Sequence, residues 1–139
     1  MRQHSETLSI ATFGPGLYDF TSKATQAVSN ARVREGLATC LIRHTSASLV
    51  IQENADRDVL ADLEAFMRRL VSRDPALYRH TTEGPDDMPS HIRSALTQTS
   101  ISIPVSGGKL TLGTWQAIYV FEHRDAGHRR EVVVHVIGE

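Results

Sequence analysis

The chain is poor in the features that mark most specialised classes. It has one cysteine, so no intrachain disulfide can form. That residue, Cys40, lies in the apolar run Leu37 to Ile42 with no electropositive helix start beside it, and reads as a buried small hydrophobe. There is no excess of either charge: 15 basic against 16 acidic residues give a formal charge of -1, which supplies no reason to bind phosphate backbones. Nucleic acid is therefore not an expected partner. No apolar run approaches a membrane span, and Met1 to Thr7 lacks the apolar segment of a secretory signal, so the reading is a cytoplasmic chain with no membrane partner. Repeats, low-complexity stretches and long linkers are also missing, which leaves residues 1–139 as one domain.

What remains is an ordinary 40% hydrophobic composition with an unusual load of seven histidines. Alternation at Leu8 and Ile10 predicts a first strand that ends at Gly14-Pro15-Gly16, followed by a short extended piece over Leu17 to Phe20. Thr21 or Ser22 caps a helix with Ala24, Ala27, Val28 and Ala31 on one face, stopping at Gly36. Leu37 to Ile42 is apolar on both alternating faces and predicts a strand covered on both sides; Leu49 to Ile51 resumes that character, giving two central strands. Val59, Leu60, Leu63, Phe66, Met67 and Leu70 predict a helix from about Asp56. A loop over Thr81 to Pro89 precedes a short helix to about Gln98. The last third predicts a hairpin through Ser106-Gly107-Gly108-Lys109, then a second strand pair, Trp115 to Phe121 with Val132 to Ile137. The fold class is α+β, mainly antiparallel.

Three constellations carry candidate chemistry. His44 with Thr45, Ser46 and Ser48 emerges where an apolar strand stops; a histidine satisfied in the core beside a serine-rich turn is the plain alternative. His80 and His91 enclose Glu83, Asp86 and Asp87, a density of imidazole and carboxylate suited to a divalent metal. If the fold brings them together, His44, His80 and His91 make an open three-histidine site for zinc or magnesium, with Glu83 or Asp87 as base. A solvated acidic loop before a helix is the alternative. Thirdly, Gly113-Thr114-Trp115-Gln116 and Glu122-His123-Arg124 offer close backbone approach and a guanidinium fork. A hairpin with Trp115 in the core and a wet end at Glu122 to Arg124 explains the same residues. His135 reads as a structural strand residue, and His4 and His128 as exposed.

Taken in this order, His44-Thr45-Ser46-Ala47-Ser48, Glu53-Asn54-Ala55-Asp56, Glu83-Gly84 with Asp86-Asp87-Met88-Pro89 and His91, Gly113-Thr114-Trp115-Gln116 and Glu122-His123-Arg124 resemble the motifs of the YjbQ family. The stretch Ser100 to Ile118 is similar to its signature. Pro85 and Ser90 depart from it without removing a candidate ligand. The resemblance implies an antiparallel sheet with helices on one face, a homotrimer with sites near subunit boundaries, and a metal or anion among His44, His80 and His91. It also implies thiamine-phosphate synthase activity, the joining of hydroxymethylpyrimidine diphosphate to a thiazole phosphate. In that chemistry a metal, Arg124, and donors around Ser46, Ser48, Thr114, Gln116 and His123 would hold the phosphorylated metabolite, with Trp115 stacking on a ring. Hydrolysis of a phosphate ester, and a non-catalytic trimer that binds a metal or phosphometabolite, use the same residues. Function belongs to sites rather than folds.

Overall fold

Strict alternation drives the largest sheet. In β5 (Ser100–Ser106) Ile101, Ile103 and Val105 are buried while the serines and Pro104 between them face out, and in β8 (Arg129–Gly138) Arg130, Val132, Val134 and Val136 share the inward phase. The computed structural model describes residues 1–139 and joins these strands to β1 (Arg2–Ala11), β3 (Glu35–Ile42) and β6 (Lys109–Leu110) in a five-stranded antiparallel sheet of order β1-β8-β3-β5-β6. A second, three-stranded antiparallel sheet has the order β2-β7-β4, from β2 (Gly16–Asp19), β4 (Ala47–Glu53) and β7 (Gln116–Glu122).

Helix α1 (Thr21–Ala31) presents Ala24, Ala27, Val28 and Ala31 to the core. Small side chains let it lie close to the inner faces of both sheets, where Ile10, Ala38, Cys40, Leu49, Ile118 and Val120 complete one hydrophobic cluster. On its far side β7 buries Ala117, Tyr119 and Phe121 as well, so the strand is covered on both faces. Helices α2 (Arg57–Leu70) and α3 (Asp87–Leu96) pack on the small sheet; Asp56 caps α2 by accepting from the Asp58 N–H. Burial pushes the Cys40 thiol up to about 11, as an unreactive core residue requires. No helix is long and apolar enough to cross a membrane.

The α+β class, the antiparallel pairing, the three helices and the 105–110 hairpin are as expected; several local expectations are corrected. Trp115–Phe121 and Val132–Ile137 do not pair. Strand β7 lies between β2 and β4, whereas β8 lies between β1 and β3 in the other sheet, because each has both long edges already occupied. Strand β4 is an edge strand, and β3 alone is central in its sheet. Helix α1 ends at Arg32, which takes the left-handed conformation at φ 55°, four residues before Gly36. Gly36 instead sits inside β3 opposite Gly138, where any Cβ would overlap the Ile137 carbonyl. Strand β3 is covered on one face only, since Leu37 and Leu41 remain 40% and 45% exposed.

Candidate functional site

Helix α3 supplies the centre of the site. Asp87 and His91 are one turn apart on a single helical face, and the preceding loop returns His80 to the same place. His80 Nε2 lies 2.6 Å and His91 Nε2 3.0 Å from the same oxygen, Asp87 Oδ2, with the two rings edge to face at 5.5 Å. Potential ligand atoms of His80, Asp87 and His91 all fall within 4.8 Å of one another. Asp87 is 2% exposed, while both imidazoles are about a third exposed, so the group opens to solvent on the histidine side.

The tautomer of His91 follows from its second nitrogen. Nδ1 stands 2.9 Å from the Thr45 carbonyl oxygen, which can only accept, so Nδ1 carries a proton. A neutral His91 therefore aims its Nε2 lone pair at a carboxylate oxygen. That juxtaposition is unfavourable unless a proton or a metal cation sits between them. A ring N–H held by a backbone carbonyl, which leaves the other nitrogen free for the metal, is the usual outer-shell arrangement of a metal-ligating histidine. These residues fit a divalent metal. Two imidazoles and one carboxylate suit zinc or another transition metal better than magnesium, which prefers oxygen ligands.

Arg124 braces the acidic side. Its Nη1 is 2.8 Å from Asp87 Oδ1, its Nε donates to Asp86 Oδ2 at 2.8 Å, and its Nη2 donates to the Glu83 carbonyl at 3.1 Å. Burial alone would raise the Asp86 pKa, but the Arg124 hydrogen bond and the Asp125 N–H hold it down at about 2. Burial is likewise outweighed at Asp87, held below its ordinary value by the neighbouring His80 and His91 rings and then by the charge of Arg124.

The expected three-histidine set is not what converges. His44 Nε2 accepts the Glu131 N–H at 2.8 Å, which uses the lone pair that a metal would need; Asp87 takes the third place. His44 is still nearby. With Thr45, His91, Ser94, Ala95 and Thr99 it lines a groove of about 260 Å³; the Ser94 hydroxyl itself is buried and has no hydrogen-bond partner. Burial and then the charge of Arg130 push the His44 pKa down. Glu83 is exposed at the rim.

The other expected anion donors serve the interior. Ser48 is fully buried between His123 Nε2 at 2.8 Å and Thr97 Oγ1 at 2.6 Å, and Ser46 Oγ accepts from Arg130. His123 is 3% exposed; burial, then the charge of Arg93, lower its pKa to about 3, so it is neutral. Thr114, Trp115 and Gln116 are exposed, with Gln116 Oε1 bound to the Gly113 N–H. They begin the strand that His123 and Arg124 follow, roughly 25 Å away along β7 at strand spacing. One subunit cannot bring the two halves of that constellation together. Trp115 is 65% exposed, against the alternative that placed it in the core.

Two residues that no motif in the sequence marks, Thr12 and Arg130, hold Glu122. Glu122 is fully buried and bound by Arg130 Nε at 2.8 Å and Thr12 Oγ1 at 2.7 Å, with the N–H groups of His123 and Arg124 on its other oxygen. Burial would raise its pKa, but Arg130 and Thr12 hold it below the ordinary range. The signal was present: Glu122 and Arg130 occupy the inward phase of strands whose other inward residues are Ile118, Val120, Val132 and Val134.

Comparison with known proteins agrees with this architecture. The chain is 58% identical over 138 residues to a UPF0047 protein of Synechocystis, covering 99% of this chain and 94% of the relative. It is 40% identical to the UPF0047 protein YjbQ of Escherichia coli O157:H7, covering 98% and 99%. Among solved structures, a YjbQ/UPF0047 family protein of Clostridium acetobutylicum matches with a TM-score of 0.86 at 33% identity, covering 95% of this chain and 99% of the other. A YbjQ-like protein of unknown function from Sulfolobus solfataricus shares the fold, with a TM-score of 0.86 at 21% identity, over 99% of both chains. The model described as UPF0047 protein YjbQ-like matches residues 6–139, and the chain belongs to the YjbQ (UPF0047) family.

Proposed function

We propose that this protein is a metal-dependent enzyme acting on a small phosphorylated metabolite, with His80, Asp87 and His91 as the metal ligands. The observation that carries the reading is the position of His91, whose Nδ1 lies 2.9 Å from the Thr45 carbonyl oxygen while Nε2 faces Asp87. A bound divalent ion would supply Lewis acidity and neutralise charge on phosphate oxygens. Asp87 sets the geometry of the two imidazoles, and Arg124 holds Asp87 by its other oxygen. The groove between His44 and His91 gives the substrate a place beside the ligands.

For the reaction, the family resemblance favours thiamine-phosphate synthase chemistry, in which hydroxymethylpyrimidine diphosphate and a thiazole phosphate are joined and diphosphate leaves. One observation favours a second reading, hydrolysis of a phosphate ester. The guanidinium of Arg124 is spent on Asp86, Asp87 and the Glu83 carbonyl, so it offers no free fork to a diphosphate, and exposed Glu83 is left as a base. A homotrimer accompanies either reading. Leu37 and Leu41 of β3 stand half exposed beside Val133 and Ile137 of β8 on the outer face of the large sheet, an apolar stripe that a closed assembly would cover. Light scattering should return three times the 15.4 kDa subunit mass.

The test supplies the pyrimidine diphosphate and thiazole phosphate to metal-loaded protein and follows thiamine phosphate and diphosphate together. Both products should appear and vanish in His80→Ala. Release of inorganic phosphate from simple esters without thiamine phosphate selects hydrolysis, and binding without turnover selects a non-catalytic role.

A further inference from the structure

A second polar cavity shares no lining residue with the groove beside His91 or with the His80–Asp87–His91 group. It measures about 50 Å³ and is lined by Pro15, Arg68, Arg73, Arg93, His123 and Asp125, with no apolar side chain besides the proline. That is room for a few waters or one small oxyanion. Arg73 is held in a bidentate pair by Asp125 at 2.8 and 3.0 Å, and Arg68 is paired with Glu64 one helical turn back. Arg93 is different. It is 6% exposed, makes no ion pair, and donates only to the carbonyls of Met67 at 3.3 Å and His123 at 3.5 Å.

Three guanidiniums thus face two carboxylates, and the uncompensated cation is the most buried of the three. Burial first, and then the charges of Arg68 and Arg73, push the Arg93 pKa down. His123 cannot add or remove charge near neutrality. An isolated charge taken out of water is costly unless something pairs with it, and a guanidinium with long carbonyl contacts has donors to spare. Arginine donors match tetrahedral oxyanions in planar, bidentate fashion.

We propose that this cavity is an anion site in which Arg93, helped by Arg68 and Arg73, binds a phosphate-sized oxyanion, separate from the His80–Asp87–His91 centre. The class of ligand is a phosphate group, arriving either as the free ion or as part of a phosphate monoester. Enclosure by charged side chains disfavours an apolar ligand, and a divalent cation would meet three guanidiniums with both Asp125 oxygens already taken by Arg73. The site does not rest on the enzymatic reading above.

Inorganic phosphate titrated calorimetrically into chelator-treated protein, at constant ionic strength in a buffer without phosphate or sulfate, should bind one equivalent per chain. Phenyl phosphate in a parallel titration separates the sources: a match to inorganic phosphate identifies a phosphoryl group of a larger molecule, and no binding identifies the free ion. Arg93→Met should weaken phosphate binding by roughly tenfold or more, the loss expected for a charged hydrogen-bonding partner. Arg68→Gln, at a half-exposed position where folding is not at stake, should weaken it several-fold, about what one partly screened charge contributes. Asp125→Asn removes the carboxylate that competes for Arg73 and should tighten it. The His80→Ala, His91→Ala double variant should bind phosphate as the parent does. No phosphate binding by the parent at 10 mM, roughly the weak limit for a specific site, overturns the proposal. So does binding that survives Arg93→Met and Arg68→Gln but disappears with the two histidines, because the anion would then belong to the metal centre.

Discussion

Two buried carboxylates, Glu122 and Asp87, show how one residue type acquires opposite tasks. Both are nearly or fully inaccessible and both touch an arginine, Arg130 in one case and Arg124 in the other. Glu122 is then sealed: Thr12 and two backbone N–H groups use its remaining lone pairs, and Arg130 is itself 4% exposed. Asp87 turns its second oxygen towards two imidazoles that reach solvent. A fully satisfied charge pair specifies where two sheets meet. A carboxylate shared by two accessible nitrogens has capacity left for a cation or a substrate.

The sharpest way to break this comparison is to remove the ligands. Protein purified without an affinity tag should carry about one transition metal ion per chain, and His80→Ala with His91→Ala should reduce it nearly to zero, since two of three ligands are lost. His44→Ala should keep the metal, because its Nε2 is committed to Glu131. Metal content that follows His44 instead would restore the three-histidine site.

Next in size is the sealed pair. Glu122→Ala leaves Arg130 buried without its partner and should cost about 3–5 kcal/mol in urea unfolding. Asp87→Asn keeps the shape and one acceptor oxygen, and Arg124 retains Asp86 as a partner, so it should cost clearly less stability while abolishing metal binding. Equal destabilisation by the two variants would erase the distinction between a structural and a functional carboxylate.

A smaller effect is expected at Arg124, which positions Asp87 rather than meeting substrate. Arg124→Lys keeps a charge but cannot bridge Asp86, Asp87 and the Glu83 carbonyl together, so metal affinity and turnover should fall roughly ten- to a hundredfold, as for other supports of metal ligands. Loss of turnover with unchanged metal affinity would instead return Arg124 to direct contact with substrate.

The mildest test uses pH. His123 has its folded pKa lowered from 6.5 to about 3, so the unfolded chain binds a proton that the folded chain refuses. Its contribution to stability is complete above about pH 6.5 and is lost progressively as pH falls towards 3. The melting temperature should decline over that window, and His123→Gln should flatten the decline while lowering the plateau. An unchanged slope would mean that another group dominates acid unfolding.

Much of this was legible beforehand where physics is local. The Leu63, Phe66, Met67, Leu70 periodicity places α2 from about Asp56, and the Ser106-Gly107-Gly108-Lys109 turn places the β5–β6 hairpin. His80, Asp87 and His91 are legible as chemistry-bearing because they crowd into one loop and helix start. His44 lies outside the converging group because spacing along a chain does not report which lone pair a distant backbone N–H will claim, and Glu131 is 87 residues away. The β7–β8 pairing failed for a related reason: adjacency in sequence favours pairing, but two sheets competed for the same strands.

The sequence by itself therefore determined the inward faces of the strands, the helix α2 that shields the smaller sheet, the inertness of Cys40 and the neighbourhood of the imidazole-carboxylate group. These depend on burial patterns and short-range geometry that a run of ten or fifteen residues already contains. Only the tertiary structure decided that Asp87 is the hub, that Arg124 is occupied, that Trp115 lies far along β7 from His123, and that Arg93 is buried without a counterion. Each of those depends on partners contributed by other elements, and a charge acquires its role from what surrounds it in space.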